Sequence, residues 1–300
     1  MSDVLAADPS VHVAVVQAGT VLFDTPRTLE KLASLAAEAK RQGAQVVLFP
    51  EAFVGGYPKG MQFGLSLGGR TPEGRDQFRA YYESAIEVPG PECEFLSAVA
   101  RDNGIHLVTG IVERAGGTLY CTVLFLGPGG EFLGKHRKLM PTALERTIWG
   151  CGDGSTLTVV DTEHGRLGAV ICWENYMPLL RAAMYSKQVE LYCAPTVDDR
   201  ETWTPTMRHI AIEGRCFVLS ACQFLPAGGE NGLAGIRGGS CIVSPFGDVL
   251  AGPVYETETI LTAKLDRRDR VRGKFDLDVV GHYARPDVFR LLVDETDRGG

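Results

Sequence analysis

Residues 11–17, VHVAVVQ, and residues 45–50, QVVLFP, enclose the segment TPRTLEKLASLAAEAKRQG at 25–43, and the reading of this stretch decides the fold. The outer pieces are apolar runs rich in β-branched residues, the pattern of buried strands. The inner piece repeats apolar residues at helical spacing, with Thr25 as N-cap, Pro26 at the first helical position, an end near Gln42 and a stop at Gly43. Strand, helix and strand in that order make a β-α-β unit, whose second strand delivers Glu51 at its C-terminal end.

Beyond this unit the pattern predicts a helix over 92–103, a strand over 105–112, and strands at 120–126 and 131–134 joined by the Gly-Pro-Gly-Gly turn at 127–130. A further pair, 157–160 and 167–172, turns at Glu163-His164-Gly165. After it come a helix over 177–186, a strand over 190–194, a helix over 204–214 and a strand over 217–222. Hairpins mixed with β-α-β units imply an α/β fold with mixed sheets flanked by helices, not a pure parallel barrel. No repeat or low-complexity linker divides the chain. One domain is expected over 1–270, followed by a tail, 271–300, that packs on the domain or on a partner subunit.

The 300 residues, 45% of them hydrophobic, are enough for a large core. A formal net charge of -7 without long runs of like charge offers no footprint for nucleic acid or an anionic membrane. The expected partners are a small molecule and further copies of the chain. No apolar run approaches the roughly 18 residues of a membrane span, and residues 1–10 are short and acidic, so a cytoplasmic protein is expected. The eight cysteines show no CxxC pairing and sit partly in apolar frames such as ELYCAP and GAVICW, which fits reduced, buried thiols better than disulfides or zinc ligands.

Three reactive side chains follow the ends of strands, where residues emerge into a crevice: Glu51 after VVLFP, Lys138 after EFLGKHR and Cys172 after LGAVI. A hydrolytic thiol site needs a nucleophile, a group that takes its proton, and a cation or donor set for developing negative charge. These positions supply one of each. Position alone leaves open whether Cys172 is a nucleophile or a packed thiol like Cys193, and whether Lys138 belongs to a solvated basic turn. Glu51 is the most telling of the three, since a carboxylate closing an apolar strand is costly to bury without a partner or a task.

The segments LFPEAFVGGYP at 48–58, KHRKLMPTALERTIWGCGDGS at 135–155 and GAVICWENYMPLLR at 168–181 resemble, in order and separation, the three catalytic segments of the nitrilase superfamily. The resemblance runs from Val11 to about Val293, and CWEN and ERTIWG look like its nitrilase branch rather than the amidase or carbamoylase branches. It implies a four-layer α-β-β-α sandwich that pairs into homo-oligomers and uses no metal or organic cofactor. By matched position, Glu51 is the general base, Cys172 the nucleophile, and Lys138 with the Trp173 amide stabilises the nitrogen-centred charge. Glu145 orders the site beside the lysine, although a solvated charge paired with Arg146 is the alternative. Tyr57 and Trp173 are expected on the substrate side, and Trp203, in the helix that also carries Met207 and His209, at the pocket edge or in the core. The implied activity is hydrolysis of an organic nitrile to the acid and ammonia through a thioimidate. An amidase using the same residues and a non-catalytic scaffold are the alternatives. Three features depart from the family pattern: Cys151 before GDGS, the short glycine-rich connection at 225–238, and the early end of the chain.

Overall fold

The N-terminal β-α-β unit forms as β1 (Ser10–Gln17), α1 (Thr25–Arg41) and β2 (Val46–Leu48), with β1 and β2 parallel. The cap of α1 is Asp24, not Thr25: the Asp24 carboxylate accepts the Arg27 N–H at 3.0 Å, while the Thr25 hydroxyl donates to the Ser84 carbonyl. Asp is the stronger cap acceptor, and taking it moves the helix start by one residue. The computed structural model describes residues 9–228 and 234–299. Most of the N-terminal stretch 1–10 and residues 229–233 of the 225–238 connection lie outside the described residues.

After α2 (Pro72–Ser84) and α3 (Pro91–Asn103), β3 (His106–Ala115) adds in parallel to β2, and β4 (Thr118–Leu126) and β5 (Phe132–Arg137) meander antiparallel to the sheet edge. From the far end of the chain β13 (Thr259–Asp266) covers the other side of β1, which gives the order β13-β1-β2-β3-β4-β5. The second sheet is built on β6 (Val159–Thr162), β7 (Gly165–Ala169), β8 (Leu191–Cys193) and β9 (Phe217–Ser220). There α4 (Pro178–Ser186) and α5 (Trp203–Gly214) connect the parallel strands β7, β8 and β9. With β10 (Phe224–Leu225) and β11 (Ile236–Val243) its order is β10-β11-β9-β8-β7-β6, and β12 (Val249–Tyr255) also pairs with β11.

Strand periodicity sorts the apolar residues into three layers of core. On β1, Val11, Val13 and Val15 enter the core between the sheets, while Ala14 and Val16 join Leu32 and Ala36 of α1 and Leu96 of α3. On β8, Leu191 and Cys193 face the same central core, and Tyr192 packs with Met184 of α4 and Met207 of α5. Helices, sheet, sheet, helices is therefore the layer order, the α-β-β-α sandwich with mixed sheets.

Several elements escape the periodicity. Among the residues of α2 only Gly74, Tyr81 and Ser84 are buried, too few for an amphipathic stripe. Strand β12 is mostly exposed and β13 mostly half-exposed, and α6 (Arg268–Asp276) buries only Gly273. The boundary expected at residue 270 falls inside α6. Beyond it Val279 and Val280 pack under the second sheet's helices, Glu295 pairs with Lys187 at 2.6 Å, and the Asp153 carboxylate accepts the Arg298 N–H at 2.8 Å. The apolar side chains of Phe275, Phe289 and Leu292 point outward, 87%, 76% and 91% exposed.

One close approach ties this frame to the turn after β2. Gly110 on β3 accepts the Phe53 and Val54 N–H groups at 2.9 and 3.1 Å, and a Cβ there would stand 2.3 Å from the Pro50 oxygen and 2.7 Å from the Glu51 Cα. Gly110→Ala is expected to force the 50–52 turn outward at a cost of about 1–3 kcal/mol. A thermal unfolding midpoint equal to that of the wild type would show that this turn is not wedged against β3.

Candidate active site

The three strand-end segments converge between the sheets. Glu51 lies three residues past β2, Lys138 one past β5 and Cys172 three past β7, where Val170 and Ile171 intervene before a short 3-10 helix, Cys172–Tyr176. Three backbone positions at this convergence hold left-handed angles without being glycine: Ala52 at φ 46°, Ala143 at 49° and Cys172 at 49°. Each such residue costs on the order of 1–3 kcal/mol and persists only where its surroundings over-determine it. The surroundings are explicit. The Gln223 amide donates to the Glu51 carbonyl at 2.8 Å, the Cys172 N–H donates to the Pro195 carbonyl at 2.9 Å, and the Asn175 amide donates to the Cys172 and Val170 carbonyls at 2.7 and 2.9 Å.

Glu51 is fully buried, and its Oε1 accepts from Lys138 Nζ at 2.7 Å and from the Cys121 thiol at 3.6 Å. Its Oε2 is buried without a hydrogen-bond partner among the described residues. Burial pushes the Glu51 carboxyl above its ordinary range and the Glu145 charge adds to this, while the Lys138 charge and the Cys172 thiol pull against it. Burial also opposes the charge on Lys138. The carboxylates and thiols around it outweigh that effect, so its Nζ holds its proton well above the usual lysine range. The Cys172 thiol is driven well upward by burial and then by the Glu51 charge, with Lys138 and the Thr196 hydroxyl opposing. At rest it is a neutral thiol, and attack requires a base as the bond forms.

Glu145 stands on the same lysine. Its Oε2 accepts from Lys138 Nζ at 2.9 Å and from the Thr142 N–H at 2.7 Å, and its Oε1 accepts the Tyr57 hydroxyl at 2.7 Å. Arg146 turns instead to the Pro141 carbonyl at 3.0 Å, so the expected alternative partner of Glu145 is engaged elsewhere. Burial, with Glu145 and Glu51 nearby, keeps Tyr57 a protonated donor.

Cys172 opens onto a cavity of ≈ 280 Å³ lined by Tyr57, Lys59, Glu145, Trp173 and Arg200 among others. Tyr57, Lys59, Thr142 and Glu145 also border an adjoining space of ≈ 360 Å³ whose far wall is apolar, with Met61, Phe63, Leu144, Ile148 and Trp149. Trp173 is held at the rim, its indole donating to Asp198 Oδ2 at 2.9 Å with the Arg200 guanidinium 4.7 Å over the ring. Its N–H lies in the first turn of the 3-10 helix, where amides have no acceptor within the helix. Trp203 is placed elsewhere: it is fully buried beside Met207 under the second sheet and donates to the Ser220 hydroxyl at 2.8 Å, while His209 stays exposed. The helical spacing of Trp203 and Met207 marks core. Cys151 is the one exposed cysteine among eight unpaired ones and borders neither cavity.

Thr196 was not legible in the sequence. Its hydroxyl accepts the Asp198 N–H at 2.9 Å and stands 3.1 Å from Cys172 Sγ, so the hydroxyl proton is directed at the sulfur. A threonine inside the apolar run YCAPTV carries no signal until the fold sets it beside the thiol. Among the described residues, one group of possible metal ligands occurs, His106, Glu163 and His164, with ligand atoms within 4.8 Å of one another. It sits at the starts of β3 and β7, the opposite ends from Glu51 and Cys172, and Glu163 bridges both rings at 3.0 and 3.4 Å.

The sequence model of the family described as carbon-nitrogen hydrolase matches residues 12–273. An aliphatic nitrilase of Sinorhizobium fredii is 58% identical over 293 residues, 94% of this chain and 95% of that protein. A bifunctional nitrilase/nitrile hydratase of Lupinus angustifolius is 56% identical over 303 residues, 96% of this chain and 87% of that protein. Among solved structures, Nit3 of Saccharomyces cerevisiae, a member of the nitrilase superfamily, superposes with a TM-score of 0.71 at 24% identity, covering 91% of this chain and 96% of its own; at that identity it speaks for the fold. The chain belongs to the carbon-nitrogen hydrolase family, in its nitrilase branch.

Proposed function

We propose that this protein hydrolyses an organic nitrile to the carboxylic acid and ammonia, with Cys172 as nucleophile, Glu51 as general base and Lys138 as the cationic stabiliser. The observation that carries this reading is the division of the Glu51 carboxylate: one oxygen is committed to Lys138, and the other is buried without a partner beside a neutral thiol. The names of the Sinorhizobium and Lupinus relatives supply the nitrile. Glu51 takes the thiol proton as Sγ adds to the nitrile carbon, and Lys138 and the Trp173 amide meet the charge developing on nitrogen. Protonation of that nitrogen gives a thioimidate. Water activated by Glu51 then adds, ammonia leaves, and a second water releases the acid from the thioester. Glu145 and Tyr57 fix the lysine, and the apolar space beside Tyr57 receives the substrate's organic group. If the tetrahedral intermediate expels the thiol instead of ammonia, the product is the amide. The Lupinus relative's name carries both outcomes.

An amidase using the same residues is the alternative, and ammonia release measured across nitriles and their matching amides separates the two. Cys172→Ala is expected to abolish turnover while the melting temperature stays near that of the wild type, whereas Cys193→Ala, deep in the central core, keeps the chemistry and loses stability. Ammonia release by the Cys172 variant would exclude it as the nucleophile.

Lys138→Met is expected to lose about 10²–10³ in rate or more. Glu51→Gln should lose roughly 10²–10⁴ and slow alkylation of Cys172, because the amide accepts no proton from the thiol. Normal turnover at a normal melting temperature in the Glu51 variant would defeat the mechanism at its first step.

The exposed Phe275, Phe289 and Leu292 support a homo-oligomer assembled partly through the tail, while the buried Trp203 contributes no such face. Light scattering is expected to give a multiple of the 32.4 kDa chain mass, and a monomer mass refutes assembly. A cytoplasmic location is consistent with eight unpaired cysteines, and no helix among the described residues is long and apolar enough to cross a membrane.

A further inference from the structure

Glu174, two residues after Cys172, is buried and has both carboxylate oxygens engaged. Its Oε2 accepts the Ile171 N–H at 2.9 Å, and its Oε1 accepts the Leu139 N–H at 2.6 Å. Ile171 directly precedes Cys172, and Leu139 directly follows Lys138. One carboxylate therefore joins the backbone beside the thiol to the backbone beside the cation, and the two segments leave different sheets, β7 and β5.

His136, on β5, completes the arrangement. Its Nε2 lies 3.0 Å from Glu174 Oε2 and its Nδ1 2.9 Å from the Thr156 carbonyl. A carbonyl only accepts, so Nδ1 carries a proton. Each Glu174 oxygen already accepts a backbone N–H, the pattern of a carboxylate, and against a carboxylate Nε2 donates as well. The ring is then an imidazolium buried against a carboxylate, and Glu174 and the Thr156 carbonyl are the charged and polar groups that face it. Burial works against the charged ring, yet the Glu174 charge and hydrogen bond hold its pKa above the ordinary histidine range.

We propose that the His136–Glu174 ion pair is a positioning unit for the catalytic site: Glu174 sets the register of the Cys172 turn against the Lys138 segment, and His136 holds the Glu174 side chain in place from β5. This rests on the roles assigned above to Cys172 and Lys138. Neither residue lines the cavity at Cys172, so the pair acts on geometry and not on the substrate.

Two measurements test it, both in a Cys151→Ser background that removes the exposed thiol. First, histidine-labelled protein is examined by ¹⁵N NMR at pH 8, with His136→Gln for assignment. One ring is expected to remain doubly protonated at pH 8, above the ordinary histidine pKa of about 6.5, and its signals to vanish in the variant. A neutral His136 ring at pH 8 overturns the ion pair. Second, Glu174→Gln and His136→Gln are assayed with kcat expressed per Cys172 thiol that alkylates with iodoacetamide, quantified by peptide mass. A loss of about 10²-fold with KM little changed is expected, the scale that a misplacement near 1 Å produces. A wild-type kcat per reactive thiol, with only a smaller folded fraction, would reduce the pair to a stability element and overturn the proposal. Should the wild type turn over no nitrile or amide, the functional reading fails by itself, while the NMR spectrum needs no substrate, and a Glu174→Gln or His136→Gln variant alkylating Cys172 at the wild-type rate would still overturn this proposal.

Discussion

The structure is organised around a buried ion pair, Lys138 against Glu51, with both side chains sealed from solvent at 2.7 Å. Desolvating two charges is expensive, and mutual attraction offsets it only when geometry and extra hydrogen bonds are good. Here Glu145 and, through it, Tyr57 and Thr142 complete the set. Such a pair is a poor way to gain stability, since well-packed apolar residues would serve as well. Its value is electrostatic: a fixed positive charge and a carboxylate of raised proton affinity in a low-dielectric site next to a neutral thiol.

Much of the surrounding fold holds that constellation against its own cost. Left-handed angles at Ala52, Ala143 and Cys172 bend the chain sharply where it passes the site, and the bends at Ala52 and Cys172 are pinned by hydrogen bonds from the segments of Gln223 and Pro195. The Gln223 amide reaches from the second sheet to the carbonyls of Glu51 and Ala52, and Gly110 presses its bare backbone against the same turn. The CWEN stretch reads physically once folded. Cys172 carries the sulfur, Trp173 forms the rim, and Glu174 and Asn175 fasten the turn from below.

The sandwich also explains why the two sheets are nearly interchangeable in design. Each has a parallel centre with antiparallel flanks, and each sends segments of the candidate site past strand ends into the shared interior. Glu51 and Lys138 come from one sheet and Cys172 from the other, so the site exists only when the two are packed face to face. Stability of the central core and integrity of the site are therefore coupled.

The sequence by itself determined most strands of the inner layers, because residues buried on both faces leave continuous apolar runs, and it marked Glu51 as a carboxylate ending such a run; β11, buried as well, went unread because Gly238 and Gly239 interrupt its apolar residues. The three catalytic-like segments were legible for the same reason: reactive side chains at strand ends interrupt an apolar pattern. What lies at the margins was not. The helix α2 and the strands β12 and β13 bury too little to impress a period on their residues. Trp203 fitted both a pocket edge and a core, since helical spacing shows which residues share a face but not what that face meets. His136, within KHRK, looked like part of a solvated basic turn, and Thr196 like filler in an apolar run. Only tertiary structure sets the histidine against Glu174 at 3.0 Å and the hydroxyl 3.1 Å from the thiol, because these partners are 38 and 24 residues apart in the chain and no local rule of spacing or propensity connects them.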